Sequence, residues 1–407
     1  MIVSFCPIGQ ASVREIFIGL CSAKGDFQMK IGIPKEIKSK EYRVGIIPSG
    51  VRLLVQSGHE VYIERDAGEK SGFSDDNYTE TGAMILESPK EIFDTCEMIL
   101  KVKEPQPQEY DLLKPGQILF TYLHLAPQKE LTEILKKKEV IAIAYETVQE
   151  GKRVPLLEPM SQIAGKVAPM VASYFLSAHN NAMGVLIGGA SGVSPGRVLI
   201  IGSGTVAKNA AKIASGMGAD VVIMGRNPSS MTELEDMMPP NVSTLYSNRY
   251  NLEKILPTVD IVIGAVYITG EKAPHLITRE MLSLCKKGAV LVDVAIDQGG
   301  CIETSRPTTH DDPVFEVDGV IHYCVANMPG DYPVTSTYAL ANATIPYVKK
   351  IADMGWQHAS LEDAAIYSGV NVAGGYVTEQ AVAKAHQMEY HELKSIIDNC
   401  PEFGGTV

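Results

Sequence analysis

Residues 197–225 read RVLIIGSGTVAKNAAKIASGMGADVVIMG. An apolar, strand-sized run ends in a glycine turn, a helix rich in small residues follows, and a second apolar run closes the unit. Gly202, Gly204 and Ala207 form G-x-G-x-x-A. The first glycine permits the tight turn, and the second lets the backbone approach a pyrophosphate. The small third residue lets helix and strand pack closely, while the helix N-terminus faces the anion. Such a string arises by chance, but here it follows a clean strand and opens a helix, which is the context the motif requires. The segment is read as the start of a dinucleotide-binding fold. At the end of the second run, where an Asp or Glu usually meets the adenosine ribose, stand Gly225 and Arg226, followed by Asn227, Ser229 and Ser230.

Working outward, DIVIGAV (260–266), AVLVDVAI (289–296) and VIHYCVAN (320–327) supply further strands of the same unit. Before it, KIGIP (30–34), EVYIE (60–64), MILKV (98–102), QILFTYL (117–123) and VIAIAYE (140–146) read as strands. SGVRLLVQSG (49–58) and PQKELTEILKKK (127–138) have helical spacing. This rhythm predicts a second, mainly parallel α/β unit. SQIAGKVAPMVASYFLSAHN (161–180) predicts a buried linker helix; TSTYALANATIPYVKKIADMGW (335–356) and GYVTEQAVAKAHQM (375–388) predict two more helices, returning the chain to the first unit. The expected fold is therefore α/β in two domains. A Rossmann-type domain, 159–333, is inserted into a substrate domain made of 29–158 and 334–407, with the active site in the cleft between them. Residues 1–28 are expected to be an extension preceding a natural start at Met29.

Composition excludes several classes. The 407 residues are 45% hydrophobic and 21% charged, with a formal net charge of −12. An acidic chain whose one basic run is Lys136–Lys138 offers no surface for nucleic acid. Seven cysteines without a CxxC pair fit a reducing, cytoplasmic setting and give no zinc pattern, so no metal is expected. No apolar run is long enough for a transmembrane helix.

Polar residues collect at the ends of the predicted strands. Asp293 and Asp297 end one in LVDVAIDQGG (291–300); Asp293 is read as a turn cap and Asp297 as functional, because carboxylates at the carboxyl end of such a strand face the ligand crevice. His124 follows the strand in LFTYLHLAP and suits proton transfer near neutral pH. Lys101 and Lys103 end the strand before EPQP, and Arg43 lies in the loop after the first strand. Singly each is an ordinary surface or core residue; together, facing a dinucleotide site, they form a constellation.

With these residues in view, the chain from Met29 onward resembles the alanine dehydrogenase and pyridine nucleotide transhydrogenase family, most closely its alanine dehydrogenases. The matching blocks include GIPKEIK, YRVGIIP, KVKEP, LFTYLHLA, AYETVQ, PMSQIAG, DVAIDQGG, SRPTT, YCVANMP and TSTYALANATIPY, in order along nearly the whole chain. The resemblance implies reversible oxidative deamination of L-alanine to pyruvate and ammonium with a nicotinamide cofactor. It implies that Arg43 and Lys103 hold the substrate carboxylate, that His124 and Asp297 form the acid–base pair, and that Ser161 and Asn327 line the cofactor cleft. It also implies a homo-oligomer, a hexamer. The related alternative is the nucleotide-binding subunit of a proton-translocating transhydrogenase, where Glu typically replaces the Asp297 type. A third reading, a regulatory protein that only senses cofactor, would not need His124, Asp297, Arg43 and Lys103 together. Two positions depart from the family pattern. Val334 stands where Lys or Arg is common. Gly225 stands where an Asp that selects NAD is common, and with Arg226 beside it the reading leans toward NADP or dual use.

Overall fold

The computed structural model describes residues 28–266 and 273–399. The expectation about residues 1–28 falls, apart from its last residue, outside the described residues.

Two sheets carry the molecule. The first is built from β1 (Lys30–Ile33), β2 (Glu60–Glu64), β3 (Met84–Leu86), β4 (Met98–Leu100), β5 (Ile118–Thr121) and β6 (Ile141–Ala144). The second contains β7 (Arg197–Ile201), β8 (Asp220–Gly225), β9 (Val242–Tyr246), β10 (Ile261–Gly264), β11 (Val290–Asp293), β12 (Val314–Val317) and β13 (Val320–Tyr323). The chain then returns to the first sheet with β14 (Val370–Ala373) and β15 (Tyr376–Val377). The strand orders are β15-β14-β6-β5-β4-β1-β2-β3 and β12-β13-β11-β10-β7-β8-β9. β1 through β6 pair in parallel, as do β7 through β11 with β13. Between named strands, antiparallel pairing joins β12 with β13 and β14 with β6 and β15. The molecule is thus a two-domain α/β protein with a Rossmann-type sheet.

These orders fix where ligands can sit. In each sheet the chain runs one way from a starting strand and then the other, β1 lying between β4 and β2, and β7 between β10 and β8. Loops leaving the carboxyl ends of such a pair diverge and leave a crevice. The loops after β1, β4 and β5 carry Arg43, Lys103 and His124; the turn after β7 carries Gly202 and Gly204.

The helix Glu158–Phe175 links the sheets, packing on the helix Thr205–Gly216, on β10 and β11, and on the long helix Pro333–Glu362. The largest apolar core runs without a break from β1 through this helix to β7 and β8. Gly165 makes the close approach possible: a Cβ there would lie 2.4 Å from the Val206 carbonyl oxygen. Gly165→Ala is expected to cost about 1–3 kcal/mol through overpacking, read as a lower urea midpoint at unchanged slope; an unchanged midpoint would mean that the helices do not abut there.

Two expectations differ from the structure. The stretch 375–388 is not one helix: β15 occupies its start, and the helix spans only Gln380–His386. Gly374 and Gly375 have φ of +56° and +83°, making the turn that lets β15 fold back on β14. The long helix after Pro333 breaks at Gly355, whose φ of +74° and ψ of 156° are not helical.

Candidate active site

The dinucleotide turn has the shape that its glycines predict. Gly202 adopts φ +129°, and a Cβ would strike the Ala265 carbonyl oxygen at 2.3 Å. At Gly204 a Cβ would meet nothing within 4 Å, so the backbone faces open space there. Ala207 is fully buried beneath the turn, packing helix to strand. Ser161, Gly202, Gly204, Gly225 and Arg226 line one cleft of about 450 Å³, and Lys152 and Arg153 stand in its wall as well. An open cradle at a helix N-terminus with cations in the same wall fits a dinucleotide pyrophosphate. Asn327, expected to line this cleft, instead has its amide tied to Arg43 and Glu41.

Gly225 is not an empty position. A Cβ there would lie 2.5 Å from the Met231 sulfur and 3.2 Å from the Ser203 hydroxyl oxygen. The thioether occupies the volume an acidic side chain would use. Arg226, next along, makes no hydrogen bond or ion pair among the described residues and lines the cleft.

Arg43 is 2% exposed. Its Nε and Nη2 donate to the two Glu41 oxygens at 2.6 and 2.5 Å, Nη2 also donates to Asn327 Oδ1 at 2.9 Å, and Nη1 points at Met160 Sδ at 3.0 Å. Arg43 is therefore not a free fork for two parallel hydrogen bonds: its Nε–Nη2 edge is taken by Glu41, and a substrate carboxylate has only the Nη1 side. Glu41, which carries no signal in the sequence, orients the guanidinium. Burial works to raise its carboxyl pKa, but the Arg43 charge and hydrogen bonds outweigh burial and hold it to about 2. A lowered carboxylate pKa stabilises the fold above the ordinary value near 4.5, and that contribution is lost as pH falls toward 2. Glu41→Gln should accordingly flatten the pH dependence of stability across this window, followed by urea midpoints; an unchanged slope would show that the pair is not maintained.

Lys103 is 9% exposed and has no ion pair among the described residues. Burial, and next the Arg43 charge, lower its pKa, while Asp297 opposes the shift. Such a lysine gains from an incoming anion. Lys101, two residues back, is fully committed to Glu109 at 2.8 Å and Glu36 at 3.3 Å. Glu36 in turn accepts from the backbone N–H groups of Val102 and Lys103, fixing the strand end that presents Lys103.

His124 sits in the left-handed region at φ +48°. Its ring stacks on Tyr122, centroids 5.9 Å apart and planes 4° apart, and Tyr122 is anchored by its hydroxyl to the Leu156 carbonyl at 2.5 Å. Glu146 accepts from the N–H groups of Leu123 and His124 and lies 4.0 Å from the imidazole Nδ1. The turn is held and the ring remains 40% exposed, able to reach a ligand. Asp293 is a cap, as read from sequence: fully buried, it accepts from Ala295, Cys301 and Ile302 N–H and from the Ser305 hydroxyl. It thereby shapes the loop on which Asp297 is exposed, with no hydrogen bond of its own among the described residues.

Comparison with known proteins is consistent along the chain. The family described as "Alanine dehydrogenase/PNT" matches by its N-terminal domain over residues 32–164 and by its C-terminal domain over 168–380. An alanine dehydrogenase of Methanococcus maripaludis is 51% identical over 364 residues, 89% of this chain and 98% of that one. One of Staphylococcus haemolyticus is 49% identical, covering 91% of this chain and 99% of that one. A solved structure titled L-alanine dehydrogenase superposes with a TM-score of 0.85 at 46% identity, covering 88% of this chain and 99% of that one. A transhydrogenase from Sinorhizobium meliloti, at 23% identity, shares the fold with a TM-score of 0.74, covering 86% of this chain and 100% of that one.

Proposed function

The chain belongs to the alanine dehydrogenase/PNT family, and on that premise we propose that it catalyses the reversible oxidative deamination of L-alanine to pyruvate and ammonium. The observation that carries this reading is the placement of Arg43, Lys103 and His124 on three loops at the carboxyl ends of β1, β4 and β5, with Asp297 close enough to act on Lys103. A nicotinamide cofactor, when bound, takes the hydride from the substrate α-carbon or returns it. The chain's own residues do the rest. Lys103 and the Nη1 side of Arg43 hold the substrate carboxylate and fix its orientation. His124 takes the proton from the water that adds to the iminium carbon, and in the other direction returns it. Asp297, on the opposite domain, completes the acid–base pair. Ser161 belongs to the cofactor cleft, and residues 159–333 form the dinucleotide-binding unit against 29–158 and 334–407.

For the cofactor we read NADP(H) use at least comparable to NAD(H), supported by Gly225, the Met231 thioether over it, and an Arg226 that has no partner among the described residues. A hexamer in the cytoplasm accords with the resemblance; exposed Met170 and Tyr174, four residues apart on one helix, are apolar surface for another subunit. The deciding experiment mixes purified protein with pyruvate, ammonium and NADH or NADPH and follows reduced-cofactor absorbance. No consumption with either cofactor would overturn the reading in favour of the nucleotide-binding subunit.

The carboxylate site has its own test. Arg43→Lys keeps the charge but cannot satisfy both Glu41 and a substrate. The KM for pyruvate should rise about 10- to 100-fold, on the scale of a lost charge-assisted hydrogen bond, while cofactor affinity stays unchanged. An unchanged KM would place the substrate carboxylate elsewhere.

A further inference from the structure

We propose that a recess beside the dinucleotide cleft is a phosphomonoester subsite in which Arg226 and Arg249 flank the 2′-phosphate of NADP(H). The inference rests on the cofactor reading above and deepens it from one arginine to two. β8 and β9 run in parallel register to their ends, Gly225 opposite Tyr246, and the Ser247 N–H donates to the Gly225 carbonyl at 2.9 Å. Arg226 and Ser247 therefore leave the sheet side by side, and Arg249 follows two residues later. A cavity of about 340 Å³ lies there, lined by Arg226, Ser247, Arg249, His275 and Leu276 among others. Arg226, Ser247 and Leu276 are also walls of the cleft that contains Gly202 and Gly204. The two spaces adjoin at the adenosine end of a dinucleotide whose pyrophosphate rests on the glycine turn.

The chemistry of the recess selects an anion. Two guanidinium groups and an imidazole line it, and no carboxylate among the described residues does, in a protein of formal net charge −12. Arg226 has no partner among the described residues. Arg249 pairs with Glu253 at 2.7 Å and with Glu280 at 3.7 Å, but all three side chains are exposed. Exposed pairs of this kind contribute little and yield readily to a more highly charged partner. A phosphomonoester carries nearly two charges and three acceptor oxygens, matching two arginine forks better than a carboxylate or ribose hydroxyl would. Residue 225, a glycine whose carbonyl already accepts from Ser247 N–H, offers no acceptor to a 2′-hydroxyl. The site is thus built toward the phosphate and away from the bare ribose.

The test is equilibrium binding of the two adenosine ends, 2′,5′-ADP and 5′-AMP, to the full chain and to Arg226→Ala and Arg249→Ala, at one ionic strength. Wild type should bind 2′,5′-ADP at least about tenfold more tightly than 5′-AMP, the scale of a charge-assisted hydrogen bond. Arg226→Ala should lose most of that preference and Arg249→Ala several-fold of it, with 5′-AMP affinity unchanged in both. If Arg249→Ala binds 2′,5′-ADP like wild type while Arg226→Ala does not, the two-arginine subsite is overturned and the cofactor reading stands. If wild type binds both nucleotides equally, both fall. Inorganic phosphate competing as strongly as 2′,5′-ADP would overturn the assignment to the cofactor's phosphate, since the adenosine would then contribute nothing.

Discussion

Replacing His124 is expected to reduce turnover in both directions by roughly 10²–10⁴-fold, the usual contribution of a positioned general acid–base group. The choice of variant matters. His124 holds φ +48°, a conformation that alanine resists and asparagine tolerates. His124→Asn therefore preserves the turn while removing the imidazole. The turn itself stays tied to Glu146 through two backbone N–H groups, so the fold should not move. Asp297→Ala should fall in the same range, and because its carboxylate makes no hydrogen bond among the described residues, the substitution breaks none of them. Neither residue lies on the glycine turn, so cofactor affinity, read by fluorescence titration, should be unchanged in both. Near-normal turnover in both variants would remove the acid–base assignment. Attention would then pass to Lys103, a buried amine with lowered pKa beside the same crevice.

The parts of this arrangement that were legible in the sequence are those written in local pattern. The glycine turn was readable because its context, strand before and helix after, is contiguous. Lys103 and His124 were readable because each follows an apolar run that ends abruptly, and Arg43 because it lies in the loop after the first strand; the sheet order then brings those strand ends to one crevice. Glu41 was not readable: in KEYR it has the appearance of a solvated charge, and only tertiary packing encloses it with Arg43 and Asn327, 284 positions apart in sequence from the arginine. Glu146 was hidden for the same reason, since its partners are backbone N–H groups on a different strand end. The strands β9 and β12 escaped because they are only partly buried and polar residues interrupt their apolar runs, VSTLY and VFEV; β3, MIL, is apolar throughout but only three residues long. β14 and β15 were obscured by a glycine pair between them and a true helix just after. The Met231 thioether over Gly225 had no sequence signal at all; the two are six positions apart, across a loop and the first turn of a helix.

That thioether decides how the cofactor preference should be reversed. Gly225→Asp alone places a Cβ 2.5 Å from the Met231 sulfur and within 3.2 Å of the Ser203 hydroxyl. The methionine is flexible and can give way, but the new carboxylate would then share its space with the displaced thioether. The single variant should accordingly acquire NADH preference only in part and bind both cofactors less well. Gly225→Asp combined with Met231→Ala clears that space, and the carboxylate can accept from the ribose hydroxyls and repel a 2′-phosphate. Here the kcat/KM ratio for NADPH over NADH should fall about 10- to 100-fold relative to wild type, the scale of one charge-assisted hydrogen bond. Met231→Ala by itself should leave the ratio near the wild-type value, because it adds no charge. The comparison requires one salt concentration, since screening weakens the phosphate interaction selectively. A single variant as selective as the double would show that the methionine does not restrict the site. A double variant with the wild-type ratio would show that the end of β8 does not face the ribose, and that discrimination rests on Arg226 and its neighbours across the recess.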